Sequence, residues 1–323
     1  MDKPIAALLA FGLLGAGVTS AGAQAFPSKT ITIVSPAPAG GVTDIMGRAL
    51  AQRFSKTWGQ QAVVENKPGA NNQLAAEYVA NAPPDGTTLF IAPDGTFVAN
   101  PSLYPKLPYD PYKSFTPISG LMIINQALIL NPGFAPNSVK ELIELAKQKP
   151  GTINYGTFGI GSSGHLNMVL LETMAGVKFQ AVHYKGAAPV MNDVIAGHIQ
   201  MGFVSAGSSV PQWKGNKVKL IAVGAKQRMP QLPDVPAAAE TVAGFEAVSW
   251  FGLFGPAGMP PDVVAKINAE VRALFADPEF QKTFLDRYLF QSIAGSPAEL
   301  TSFVKSEEPK WRKIIQDAKI KVE

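Results

Sequence analysis

The 323-residue chain contains no cysteine, which excludes disulfides, cysteine-ligated zinc, iron–sulfur clusters and thiol catalysis. Histidine is scarce, with only His165, His183 and His198 present. None belongs to an H-E-x-x-H pair, and no G-x-S-x-G elbow occurs, so neither the zinc-protease helix nor the hydrolase turn is encoded. Charged residues make up only 16%, with 28 Lys plus Arg against 24 Asp plus Glu. A surplus of four positive charges without a basic run excludes the phosphate-tracking stripe of a nucleic-acid binder. After residue 25 no segment is apolar for the roughly 20 residues needed to span a bilayer.

The first 25 residues differ from the rest. Lys3 is followed by the uncharged apolar stretch Ile5–Val18, then by small residues ending in Ala23-Gln24-Ala25. This is the pattern of a signal peptide cleaved before Phe26. Residues 1–25 are therefore expected to direct export, and the mature protein to be periplasmic.

What remains is 46% hydrophobic and rich in turn formers, with 30 Gly and 27 Pro. At roughly 150 residues per domain, the length suggests two domains. From Phe26 short apolar runs alternate with amphipathic stretches, the signature of an α/β chain. Strands are expected at 30–35, 62–65, 88–92, 152–155, 180–184, 200–204 and 220–224. Helices are expected from Thr43 or Asp44 to about Trp58, and over 74–81, 139–148, 165–175, 188–196, 261–276, 277–288 and 297–318. Two longer apolar stretches, 118–130 and 247–255, bracket a middle block with its own β-α-β pattern. If each crosses between lobes, the first domain is discontinuous, 26–122 plus 251–323, and the second, 123–250, is inserted in it. Two lobes joined by two strands, with a ligand cleft between them, are built for hinge closure. A single larger doubly wound sheet is the rival arrangement.

Gly159-Ile160-Gly161-Ser162-Ser163-Gly164 is a literal G-x-G-x-x-G between a strand and a helix. A dinucleotide site would need an acidic residue about 20 positions on to hold the ribose, yet no Asp or Glu falls between Glu172 and Asp193. No cofactor is expected. The turn fits either a plain strand–helix connection or an anion site, where glycines let N–H groups approach and the helix N-terminus favours negative charge. Ala39-Gly40-Gly41-Val42-Thr43-Asp44 repeats the arrangement. Asp44 there reads as a helix cap, with Arg48 four residues on as an ion-pair partner. Two such turns in different lobes could grip the two ends of one dianion. Trp58, Trp213, Trp250 and Trp311 read as packing residues.

The segments FPSKTITIVSPAPAGGVTD, VVENKPGA, APPDGTTL, NPSLYPKLPYDP, YGTFGIGSSGHL, VHYKGAAP, LPDVPAAAE and SWFGLFGPAG are together specific. With them the mature chain resembles the Bug receptors, the substrate-binding proteins of tripartite tricarboxylate transporters. The resemblance implies a two-lobed periplasmic binding protein fold of type II-like form, with two β-sheet domains flanked by helices. It implies a small organic carboxylate as ligand, no catalysis, a monomer, and the membrane subunits of such a transporter as partner. Carried over residue by residue, the first-lobe site is Ala39, Gly40, Gly41, Thr43 and Asp44. The second-lobe site is Phe158, Gly161, Ser162, Ser163 and His165, with Tyr184, Lys185 and Gly186 lining the cleft.

The chain departs from the family pattern at three places. Ala37 stands where a bulky aromatic is common, which would widen the cleft. Asn71-Asn72-Gln73 replaces a glycine-rich continuation. Ser205 lies in Val204-Ser205-Ala206-Gly207, where relatives carry Asp-Asn, which argues against an amino-acid ligand, although Asp94 could still supply a carboxylate. A dicarboxylate of four to six carbons is the expected ligand. The alternatives are an aromatic carboxylate, suggested by Ala37 and Phe158, a ligand-sensing role, and an exported hydrolase using His165 or His183.

Overall fold

The computed structural model describes residues 26–320 and Val322. The expected signal peptide lies outside the described residues. The chain opens with β1 (Ile31–Ser35), α1 (Val42–Trp58), β2 (Ala62–Asn66), α2 (Gln73–Ala80) and β3 (Thr88–Pro93). β1 pairs in parallel with β2 on one side and β3 on the other. Two short helices follow, α3 (Gly95–Val98) and α4 (Asn100–Leu103), then the 16-residue strand β4 (Phe115–Leu130). The middle block runs α5 (Val139–Gln148), β5 (Asn154–Thr157), α6 (Ser163–Ala175), β6 (Gln180–His183), α7 (Ala187–Ala196), β7 (Met201–Ser205), α8 (Ala206–Lys214) and β8 (Lys219–Val223). The chain then returns through β9 (Val248–Pro256), α9 (Pro261–Ala276), α10 (Pro278–Phe280), β10 (Phe290–Ser292) and α11 (Pro297–Asp317).

The strands join in the order β2-β1-β3-β9-β4-β7-β5-β6, with β8 and β10 also paired to β4. β4 is the spine. Up to Asn125 it is antiparallel to β9, and from Gln126 it is antiparallel to β7. The sheet therefore has two halves that meet where β4 changes partners. The two expected sheets are hydrogen-bonded into one by the strand that crosses between them.

Apolar burial continues across that junction. Phe97, Trp250, Leu166, Phe203, Val304 and Trp311 share one cluster of buried side chains. Trp250 and Trp311 are 1% and 3% exposed, as packing residues must be. Phe97 stacks on Phe254 with centroids 4.3 Å apart, and Trp250 meets Phe303 edge-on at 5.4 Å. Helix α11 closes this region, beginning in a capping box in which Ser296 accepts from the Glu299 N–H and Glu299 accepts from the Ser296 N–H.

Three expectations are corrected. Helix α1 is capped by Gly41, not by Thr43 or Asp44. The Thr43 hydroxyl is already engaged with Ser35 Oγ at 2.7 Å, and Asp44 reaches back to the Gly40 N–H instead. The segment 277–288 is not one regular helix: α10 passes into a π-helical turn over Gln281–Asp286, and Leu289 at φ 56° turns the chain into β10. The wider π turn accompanies aromatic stacking of Phe280 on Phe284 at 4.9 Å. Finally, Ala206–Lys214 forms α8, a helix that Gly, Ser and Pro211 hid from propensity reasoning.

Strand β5 sits two residues later than periodicity suggests. Its register is set by close packing: a Cβ on Gly156 would lie 2.6 Å from Ile199 Cδ1 and 2.7 Å from Val190 Cγ1. Only glycine lets α7 approach that strand.

Candidate functional site

In each half the loops of interest leave the carboxyl ends of parallel strands, the edge where open α/β sheets place ligands. After β1 the chain makes the Ala39–Asp44 turn. Gly40 adopts φ 83°, a left-handed conformation open to glycine. Gly41 N–H bonds back to the Pro38 carbonyl at 3.0 Å. The Asp44 carboxylate is 2% exposed and fully used. It accepts the Gly40 N–H at 2.9 Å, two guanidinium bonds from Arg48 at 2.9 and 3.0 Å, and the Asn66 amide at 3.0 Å. Burial opposes its ionisation, but Arg48, the Gly40 N–H and Asn66 outweigh that, and its pKa is lowered. Asp44 thus shapes the turn, and the N–H groups in the first turn of α1 are left pointing out of it.

After β5 the second turn is built on glycine dihedrals, with Gly159 at φ 127° and Gly161 at φ 75°. Ser162 is the N-cap of α6, accepting the His165 N–H at 3.4 Å and donating its hydroxyl to the Gly159 carbonyl at 2.7 Å. The Gly161 N–H donates to His165 Nδ1 at 3.1 Å. This fixes His165 as a neutral ring, protonated on Nε2. Burial first, and His183 second, pull its pKa down to about 4. His183 meets His165 edge-on at 5.1 Å and shares a 2.7 Å hydrogen bond between Nδ1 and Thr157 Oγ1. Phe158 packs under the helix start, its ring 3.1 Å from where a Cβ on Gly164 would sit. Among the described residues, the Ser163 hydroxyl makes no hydrogen bond.

Ser162 and Ser163 therefore differ. Ser162→Ala is expected to destabilise the fold by about 1 kcal/mol through the lost cap. Ser163→Ala is expected to leave stability within about 0.5 kcal/mol. If the Ser163 hydroxyl serves a ligand, the same change lowers affinity roughly tenfold or more. Urea denaturation and calorimetric titration of both variants separate these roles; equal affinity in Ser163→Ala and wild type would remove Ser163 from the site.

The two halves touch at the second turn. A Cβ on Gly161 would lie 2.2 Å from Leu103 Cδ1 and 3.6 Å from Asn71 Nδ2. Asn71 belongs to a run of left-handed residues, Ala70, Asn71 and Asn72, at φ 45°, 50° and 72°. The run is held by amide exchange: Asn71 Nδ2 donates to Asn100 Oδ1 at 2.7 Å, and Asn100 Nδ2 donates to the Asn71 carbonyl at 2.9 Å. Tyr109 anchors the pair, its hydroxyl accepting from Asn100 at 3.1 Å and donating to the Thr96 carbonyl at 2.9 Å. Sequence reasoning noted Asn71 and Asn72 only as substitutes for glycine. That was the available signal, since Asn is the side chain most tolerant of left-handed dihedrals.

The other expected site residues lie on separate loops. Asp94 follows β3 as the N-cap of α3 and accepts the Gly95 N–H at 2.7 Å. Burial chiefly, and the like charge of Glu307 on α11, push its pKa up to about 7. The Tyr184 hydroxyl is committed to Asp193 at 2.6 Å, and burial together with that bond raises its pKa to about 12. Lys185 is exposed, and Gly186 at φ 112° caps α7. Ser205 precedes α8, its carbonyl accepting the hydroxyls of Ser208 and Ser209. A cavity of about 640 Å³ lies elsewhere, and none of its lining residues belongs to either turn.

The matching family model, described as the tripartite tricarboxylate transporter family receptor, spans residues 46–320. The chain belongs to this family. Solved structures with the same architecture agree. R. palustris Rpa4515 with adipate is 32% identical, with TM-score 0.85, over 92% of this chain and 100% of that one. The periplasmic binding protein BugD is 34% identical, with TM-score 0.82, over 92% and 100%. MatC from Rhodopseudomonas palustris, with bound malate, is 33% identical with TM-score 0.80, covering 90% of this chain and all of its own. The chain is a solute-binding receptor with the α/β fold of periplasmic binding proteins. In this receptor neither ring of the His165–His183 pair is hydrogen-bonded to a described serine hydroxyl.

Proposed function

We propose that this receptor closes on a small dicarboxylate of four to six carbons in the periplasm and delivers it to the membrane subunits of a tripartite transporter. The lobes would be residues 26–122 plus 251–323 and residues 123–250. The observation that carries the reading is the seating of the Gly161 turn against Leu103 and Asn71. It brings a helix N-terminus from one half against the loop edge of the other. Helix N-termini with unpaired N–H groups favour anions, and neutral donors suit a cargo that must be released. Adipate and malate in two relatives are of the same chemical class.

A thermal-shift series with adipate, malate, citrate, benzoate, glucose and arginine tests this. A ligand at 100 times its dissociation constant should stabilise the protein by about 2.7 kcal/mol, and adipate or malate should give the largest shift. A response to glucose or arginine, with none to any carboxylate, would overturn the proposal.

A further inference from the structure

The turn that carries Gly161 has few donors of its own to offer. Its Gly161 N–H is engaged with His165 Nδ1 and its Ser162 N–H with the Gly159 carbonyl. The Ser163 and Gly164 N–H groups remain, in the first turn of α6. His165, only 8% exposed, adds an Nε2–H that has no acceptor among the described residues. All of these belong to the second half. An anion seated here is held from both sides only if the first half lends a donor.

Asn71 is placed to lend it. Its Nδ2 lies 3.6 Å from where a Cβ on Gly161 would sit, and the residue is half-buried. Which atom of the amide is the nitrogen follows from a one-directional chain of hydrogen bonds. The Thr96 carbonyl can only accept, so the Tyr109 hydroxyl donates to it and accepts from Asn100 Nδ2. Asn100 Nδ2 also donates to the Asn71 carbonyl, which leaves Asn100 Oδ1 to accept from Asn71 Nδ2. Asn100 is 0% exposed and Tyr109 6%, so water does not compete for these bonds. An amide nitrogen carries two hydrogens, and Asn71 uses one on Asn100. The second has no acceptor among the described residues.

The backbone gives this placement an unfavourable conformation. Ala70, Asn71 and Asn72 are left-handed in succession, at φ 45°, 50° and 72°. Asn tolerates this better than most residues, but glycine adopts it freely. Strain held in place by dedicated hydrogen bonds is a mark of ligand clamps. We infer that Asn71 is a ligand-contacting residue, which donates its second N–H from the first half to the carboxylate held by the Gly159–Gly164 turn of the second. This rests on the dicarboxylate reading. The bond exists only when the halves are together, so it belongs to the closed, liganded receptor.

The test uses the full mature chain labelled with nitrogen-15 at asparagine, with adipate and malate as probes. Saturating ligand should move the Asn71 side-chain amide resonance downfield, the resonance being identified by its loss in Asn71→Gly. In titration calorimetry Asn71→Gly, which keeps the left-handed backbone, should bind roughly tenfold or more weakly. Asn71→Asp, of the same size but with an acceptor in place of the donor, should bind more weakly still. Asn216→Gly is the control. Asn216 is left-handed at φ 56° on the exposed turn between α8 and β8, so relieving its backbone should leave affinity unchanged. Affinity within threefold of wild type in both Asn71 variants would overturn the inference. So would an Asn71 amide resonance unmoved by saturating ligand, even with weakened binding in the variants, because Asn71 would then only support the turn. Wild type that binds neither adipate nor malate would overturn the dicarboxylate reading, and the role of Asn71 with it. Binding by wild type with unaltered variants would overturn the role of Asn71 alone.

Discussion

Gly161→Val is expected to weaken adipate or malate binding by about a hundredfold or more. Gly161 sits at φ 75°, where a side chain costs roughly 1–2 kcal/mol and a β-branched one more. Its new Cβ would stand 2.2 Å from Leu103 Cδ1. Leu103 is only 5% exposed and has little room to retreat, so the second turn must lift from the first half. About 3 kcal/mol lost from the closed state corresponds to the hundredfold. Gly151→Val is the control. Gly151 has a similar φ of 71°, but a Cβ there meets nothing within 4 Å. It should lower stability by the dihedral cost alone and leave affinity unchanged. Titration calorimetry decides; affinity in Gly161→Val within threefold of wild type would show that this turn does not face the ligand.

His165 and Asp94 are expected to give opposing pH dependences that conceal each other in the wild-type protein. His165 falls from an ordinary 6.5 to about 4 on folding, so between those values the unfolded chain binds a proton that the native state does not. Its contribution is complete above pH 6.5 and is lost as pH falls to 4, roughly 3 kcal/mol in all. Asp94 rises from 3.8 to about 7, so the native state holds a proton that the unfolded chain releases. Stability from that group is present below 3.8 and is lost as pH rises through 7. The full shift corresponds to about 4 kcal/mol, reduced toward roughly 3 because the residue is partly exposed. Between pH 4 and 6.5 the two slopes largely cancel. His165→Gln should therefore become less stable with rising pH over this window, relative to wild type. Asp94→Asn should become more stable across the same range. Urea denaturation at pH 4.5, 5.5, 6.5 and 7.5 would show this as stability differences from wild type with slopes of opposite sign. Differences that stay constant with pH would mean that neither group titrates as described.

How far the site could be read in advance depended on whether its signal was local. The two glycine turns were legible because strand, glycine and helix start are contiguous, and positive φ selects glycine at each. The Asp44–Arg48 pair was legible for the same reason, being one helical turn apart. The cap assignments were not. Whether Ser162 or Ser163 caps α6, and whether Asp44 caps α1 or reaches back to Gly40, depends on a dihedral change of one residue. Asn100, Leu103 and Tyr109 were visible only as part of a family segment, and their roles were not, because Asn71 and Gly161 reach them from other loops.

By itself the sequence determined the α/β alternation, the crossing stretches at β4 and β9, the family, and the absence of thiol chemistry. Each follows from composition, from period, or from residues adjacent in the chain. Only the tertiary structure decided that the two halves share β4 in a single sheet, that α8 forms despite Pro211, and that Asn71 and Asn100 clamp a left-handed turn beside Gly161. Hydrogen bonds and close packing between residues tens of positions apart fix these features. Such partners carry no periodic signature, because the free energy that joins them exists only once the strands have paired.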